Sequence, residues 1–326
     1  MDTSPTLLDE VERTLLGGNR RYTRLEVAER AGVSVDRAQE LWRALGFAST
    51  ADDEVVFTDE DVEALGLMAT LVSGGVVDPK AEASLARSLG QPLARLAEWQ
   101  TTVVREVVAD PDQPLDAQPQ LVRAIEALLP VMERLQSYVW RRHLAAAAGR
   151  MLADPGSDPQ SNTLVVGFAD IVDFTRTSRT IEDADLAEFV DYFEGTAAAI
   201  VAERHGRVIK TIGDEVLFVA DTPRQGADLA LELAARSEED ADFPTVRVGL
   251  AYGPVLSQLG DVYGPVVNVA ARLTSVARPE TVVVDRELAA ALEPESDLQL
   301  RKIRRVTVRG YRRLEPWALR RAADPA

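Results

Sequence analysis

The stretch GFADIVDFTRTS, Gly167 to Ser178, places two carboxylates, Asp170 and Asp173, just after the apolar run Leu164, Val165, Val166. Such a run predicts a buried strand, and an ionised carboxylate at its end costs several kcal/mol unless something pairs with it. A third carboxylate, Asp214, lies in IGDE. Taken singly, Asp214 is an ordinary turn residue and Asp170 an ordinary helix cap for a turn beginning near Phe174. If the first strand lies beside the IGDE hairpin, the two aspartates converge at one edge of the sheet, and two like charges there need a cation to stay ionised. A pair of divalent ions would serve, and paired ions stabilise the attacking and leaving oxygens of phosphoryl or nucleotidyl transfer. The chain has no cysteine and only two histidines, His143 and His205. Oxygen ligands therefore dominate, which points to Mg²⁺ or Mn²⁺.

Further along, GDVYGPVVNVAARLTS places Asn268 and Arg272 four residues apart, on one face if the segment is helical. An isolated Asn and Arg would read as the polar side of a surface helix. Arginine nonetheless suits a developing phosphate charge, with five donors in a fixed fork and permanent ionisation. Lys210 and Asp261 add an ammonium donor and a carboxylate acceptor, complementary to the ring-nitrogen acceptor and amino donor of an adenine edge. Guanine would ask for the reverse pattern. Phe174 and Thr175, at the start of a predicted helical turn, can offer backbone N–H groups to phosphates.

The elements that must position these residues change character along the chain. From Ser4 to about Leu152 apolar residues recur at helical spacing, with a break at DPDQPLDAQPQ, predicting an all-helical domain over residues 1–152. The Pro-, Gly- and Ser-containing stretch around ADPGSDPQSN reads as a linker, residues 153–162. From Thr163 short β-branched runs alternate with helical stretches, so residues 163–326 read as α/β or α+β. Within them RVIKTIGDEVLFVA is two strands around a tight turn, so the sheet is mixed. His205, before Gly206 at a predicted helix end, is a partner for the helix dipole.

Composition excludes several classes. With 46% hydrophobic and 27% charged residues the chain is globular. The longest uncharged apolar stretch, Ala64 to Val77, is too short to span a bilayer, and the N-terminus lacks a basic leader, so the expected location is cytoplasmic. The net charge of −17 is spread over both halves, which disfavours a polyanion partner such as nucleic acid.

The motifs FADIVDFT, KTIGDE and GDVYGPVVNVAAR, in this order and spacing, resemble the catalytic domain of class III adenylate cyclases. The resemblance covers residues 163 to about 320. It implies a ferredoxin-like or palm-like α+β domain with a mixed, mainly antiparallel sheet that converts ATP to 3′,5′-cyclic AMP. By the same resemblance Asp170 and Asp214 hold two Mg²⁺ or Mn²⁺ ions, Lys210 and Asp261 select adenine, Asn268 orients the ribose and Arg272 holds the α-phosphate. Arg309 falls where the family often carries a basic residue near the triphosphate. One departure stands out: the family commonly has a small residue at the position of Asp173, whose carboxylate would face the phosphates unless it turns away. The IGDEV segment lacks the paired glycines and Glu-Phe ending of diguanylate cyclases.

Lys210 lies only four residues before Asp214, so one site can hardly seat both the base edge and the metals. The family places its sites at the interface of two catalytic domains, and a chain that carries all six residues implies a homodimer with two equivalent composite sites. The N-terminal half is similar to the helical autoinhibitory domain of pH-responsive mycobacterial cyclases. There His143 is the residue best placed to sense mild acid, since imidazole titrates near pH 6.5. Two competing readings are a DNA-binding regulator and a catalytically inactive interaction module. The first rests on Leu25 to Phe47, which has helix-turn-helix spacing with Gly32 in the turn and, with FTDEDVEAL after it, resembles MerR-like regulators. The acidic STADDEVVFTDEDVE that follows would repel DNA phosphates.

Overall fold

The computed structural model describes residues 6–108, 118–153, 161–304, 306–308 and 311–322. The chain divides into two compact units, Met1–Ala153 and Asp154–Ala326.

The first unit is helical: α1 (Leu7–Leu15), α2 (Arg24–Arg30), α3 (Val35–Leu45), α4 (Asp59–Ser73), α5 (Glu82–Val108) and α6 (Gln118–Ala153). Thr23 and Glu26 form a capping box that starts α2, and Ser34 caps α3. Between these helices Gly32 adopts φ +70°, the left-handed turn that the spacing required. Val27, Ala28, Ala38, Leu41, Trp42 and Phe57 make the core, with Trp42 and Phe57 stacked at 4.6 Å. Arg37 on α3 turns inward to the buried Glu82 of α5, in a two-pronged pair at 2.6 and 3.0 Å. On α3 the exposed side chains are Asp36, Glu40 and Arg43.

The second unit is built on the order β1 (Ser161–Ile171), α7 (Phe174–Thr177), α8 (Asp183–Glu203), β2 (Arg207–Ile212), β3 (Glu215–Ala220), α9 (Pro223–Glu239) and β4 (Val246–Gln258). There follow β5 (Asp261–Tyr263), α10 (Pro265–Val276), β6 (Val282–Val284), α11 (Arg286–Leu292), β7 (Leu298–Lys302), β8 (Val306–Val308), β9 (Tyr311–Leu314) and β10 (Trp317–Arg321). The main sheet runs β2-β3-β1-β4-β6-β10-β7, with β5 paired to β4. Its first four strands, with α8 and α9, have the βαββαβ order and the sheet arrangement of a ferredoxin-like fold. Only the β4–β6 pairing is parallel among those described. β1 includes Ser161 and Asn162, so the strand begins two residues inside the stretch read as linker.

Alternation along β1 sends Val165, Ala169 and Ile171 into one core with Phe193, Phe218 and Leu233, under α8, α9 and α11. Leu164, Val166 and Phe168 face a second core with Leu217, Ala251, Ala270 and Leu273, under α10. α10 lies very close to β4 because residue 249 is glycine. A Cβ there would meet the Thr274 nitrogen at 2.2 Å and the Ala270 carbonyl at 2.6 Å, both backbone atoms that cannot yield. Gly249→Ala should therefore lower stability by ~3 kcal/mol or more, read as a fall in the urea midpoint. An unchanged midpoint would refute this account of the packing.

Asp285 caps α11, accepting the Leu288 N–H at 2.9 Å and the Tyr252 N–H at 3.3 Å, and so ties that helix to β4. Burial pushes its carboxyl up to about 7. The folded state then keeps a proton that the unfolded chain has already released, so the group stabilises the fold in acid and that contribution fades as pH rises through 7. Asp285→Asn keeps a capping oxygen without the charge. It should melt above wild type at alkaline pH, with the gap closing as pH falls; parallel Tm curves would contradict this.

Candidate active site

Three adjacent strands carry a row of charges across the end of the sheet. Asp170 on β1 stands opposite Glu215 on β3 and opposite Arg247 on β4. Alternation puts all three on the α10 face, beyond the last apolar pair. Asp214 joins them from the β2–β3 turn, its carbonyl accepting the Ile171 N–H at 3.0 Å. Gly213 makes that turn at φ +67°. The two aspartates expected to converge thus do so, because β1 inserts directly beside β3.

The electrostatics follow from this crowding. The Asp170 side chain is only 14% exposed, and burial raises its pKa; Arg247 opposes that shift, with Nε at 2.7 Å and Nη2 at 2.6 Å from Oδ2, while the charge of Asp214 adds to it. Glu215 is pushed up to about 7 by burial first and then by Asp170 and Asp214. Sequence reasoning missed both Glu215 and Arg247. Arg247 had left a signal, a lone charge alternating between Val246 and Val248 in an apolar strand.

A cleft of about 530 Å³ opens over Asp170 and Asp214 and is lined also by Asp173, Phe174, Thr175 and Arg247. Arg176, Arg179 and Thr180 complete its wall with Ile171. Phe174 anchors this wall, stacking with Phe189 of α8 at 6.5 Å between ring centroids. Asp173 adopts φ +59°, a left-handed conformation natural to glycine and tolerated by Asp, which explains why a small residue suits the position. Its side chain makes no cap to α7 and stays exposed at the cleft.

Lys210, Asp261, Asn268 and Arg272 are not among the lining residues of this cleft. Lys210 on β2 and Asp261 at the head of β5 pair directly with each other. Asn268 is exposed and Arg272 half-buried on α10, one turn apart. One chain therefore presents two separate groups, the aspartates in the cleft and the Lys–Asp pair elsewhere. Arg309 lies outside the described residues. His143 is exposed on α6, and His205 follows α8 at φ +58°.

The donor set around Asp170 and Asp214 fits hard divalent cations: carboxylate oxygens, partly desolvated and mutually repelling. Among the described residues no group of three or more His, Cys, Asp or Glu forms a ready-made metal cage. Ions held by two aspartates must draw their remaining ligands from water and a substrate, as Mg²⁺ typically does beside phosphates.

Residues 157–321 match the family of adenylate and guanylate cyclase catalytic domains, and residues 2–144 match the adenylate cyclase regulatory domain. The chain belongs to this cyclase family. It is 40% identical to a protein named adenylate cyclase from Glutamicibacter nicotianae, over 95% of this chain and 81% of that one. It is 43% identical to an adenylate cyclase of Streptomyces coelicolor, over 86% and 74% of the two chains. A pH-sensitive adenylate cyclase of Mycobacterium tuberculosis is 33% identical over 90% and 76%. No described helix is long and apolar enough to cross a membrane.

Arg247→Ala should destabilise the catalytic unit by ~2 kcal/mol, because it leaves a mostly buried carboxylate beside two others without its counter-charge. Adding Asp170→Asn should recover much of that loss in urea unfolding. If the double variant is no more stable than Arg247→Ala alone, the charge row is not what holds this end of the sheet.

Proposed function

We propose that this chain is an adenylate cyclase that converts ATP to 3′,5′-cyclic AMP and pyrophosphate at composite sites between two copies of itself. The observation that carries the reading is the separation of its polar residues into two groups: Asp170 and Asp214 in the cleft, and the Lys210–Asp261 pair outside it. A second copy can bring the latter group to the former.

Asp170 and Asp214 would hold two Mg²⁺ or Mn²⁺ ions. When bound, such ions lower the pKa of the ribose 3′-hydroxyl and neutralise charge on the phosphates. Arg247 fixes the Asp170 carboxylate through two N–H donors, so that its oxygens are oriented before substrate arrives. Phe174 and Thr175 open the first turn of α7, where backbone N–H groups have no helical partner and can donate to phosphate oxygens. Lys210 and Asp261 exchange their mutual pair for the adenine edge, the ammonium donating to the ring nitrogen and the carboxylate accepting from the amino group. Guanine would set donor against ammonium and acceptor against carboxylate, which opposes GTP. Asn268 positions the ribose, and Arg272 holds the α-phosphate as its charge develops.

In the reaction the 3′-oxygen forms a bond to the α-phosphorus, the bond to the bridging oxygen of pyrophosphate breaks, and the hydroxyl proton passes to water, since no side chain of the set is placed as a base. The helical unit is assigned regulation. Protonation is the signal we extend to it from the mycobacterial relative, with His143 as the candidate group. DNA binding is opposed by the outward face of α3, where Asp36 and Glu40 accompany Arg43.

Asp170→Ala and Arg272→Ala should each lower cyclic AMP formation by at least about 100-fold. Mixing them under exchange conditions should restore about a quarter of wild-type activity, since half of the dimers are mixed and each has one intact site. A mixture that forms heterodimers yet stays inactive rules out shared sites.

A further inference from the structure

We propose that Arg176 and Arg179 form a clamp for the terminal phosphates of the substrate, and hold the departing pyrophosphate before release. The inference rests on the cyclase reading and assigns a further pair of residues to the same cleft.

The cleft wall contains three carboxylates, Asp170, Asp173 and Asp214, and three guanidinium groups. One of these, Arg247, is committed to Asp170. The side chains of Arg176 and Arg179 are exposed and make no hydrogen bond or ion pair among the described residues. Exposed arginines without an ion pair occur elsewhere among the described residues, Arg95 and Arg286 for example; Arg176 and Arg179 are set apart by lining one cleft together.

The segment carrying them is held in place by its own hydrogen bonds. The Arg176 and Thr177 N–H groups donate to the Asp173 carbonyl at 2.9 and 3.1 Å, and Ser178 and Thr180 donate to Phe174 and Thr177 at 2.8 and 3.0 Å. The hydroxyls of Thr177, Ser178 and Thr180 turn back to carbonyls of the same spiral. With Phe174 stacked on Phe189, the spiral presents residues 176 and 179 on one side, facing the cleft. Residues three apart on such a turn lie about 5–6 Å apart at Cβ, within joint reach of one pyrophosphate group. Planar forks suit adjacent phosphate oxygens, and two of them offset the extra charge that Asp173 places there.

The chemistry recognised is a chain of linked phosphates, supplied either by ATP or by free pyrophosphate. The test separates these sources and separates the clamp from the cyclase reading. Binding of inorganic tripolyphosphate to the full chain is measured calorimetrically in the presence of a chelator, for wild type and for Arg176→Gln/Arg179→Gln. Steady-state kinetics with ATP and inhibition by pyrophosphate are measured alongside. The double variant should bind tripolyphosphate about tenfold more weakly, with the difference shrinking at high salt. Its KM for ATP and its inhibition constant for pyrophosphate should rise, while kcat stays within about twofold, because these contacts are made in ground and transition states alike. Single Arg→Lys variants, which keep charge but lose the fork, should fall between. Equal tripolyphosphate affinity in wild type and double variant, or none in wild type, overturns the clamp even if cyclic AMP is made. Arg-dependent tripolyphosphate binding without any cyclic AMP formation by wild type would sink the cyclase reading and leave the clamp standing.

Discussion

The ion pair between Asp170 and Arg247 is the interaction on which the catalytic unit's architecture turns. It joins neighbouring strands at the point where the apolar face of the sheet ends, and it makes a mostly buried carboxylate tolerable there. Without a counter-charge, Glu215, Asp170 and Asp214 would repel one another across a distance set by strand spacing. Burial, and after it the crowding, push the Glu215 carboxyl up to about 7. The crowding also creates an unmet demand for positive charge at the cleft, the property a substrate carrying divalent ions can satisfy.

The ferredoxin-like order explains why the demand arises at this place. In a βαββαβ chain β1 is inserted between β3 and β4, so residues far apart in sequence become cross-strand neighbours. Asp170, Asp214 and Arg247 come from three separate segments and meet only through that insertion. The same arrangement holds Lys210 and Asp261 together, one on edge strand β2 and the other on β5, which pairs with the far end of β4. The sheet thus assembles each group while keeping the second out of the cleft, which is the arrangement the proposed sharing of sites between copies requires.

In the helical unit, the spacing of Leu25 to Phe47 does produce a helix-turn-helix, yet its packing gives the motif another use. Arg37, which a DNA-reading helix would present outward, is turned to the buried Glu82. Ala38, Leu41 and Trp42 belong to the core. What remains outward on α3 is mainly acidic, a surface that discourages phosphate.

Much of this was legible in the chain alone, because local rules govern it. Alternation and β-branching marked the strands, Gly213 marked the hairpin, and the i, i+4 spacing placed Asn268 and Arg272 on one helix face. The types of residue in FADIVDFT and KTIGDE pointed to metal-dependent phosphate chemistry, which is the reading proposed for the cleft. Tertiary structure alone decided the partners. That Arg247 neutralises Asp170 and that Glu215 completes the charge row depend on strand order and register. Pairing energies act between segments far apart in sequence, 77 residues in the case of Asp170 and Arg247, and no local periodicity encodes which strand will lie beside which.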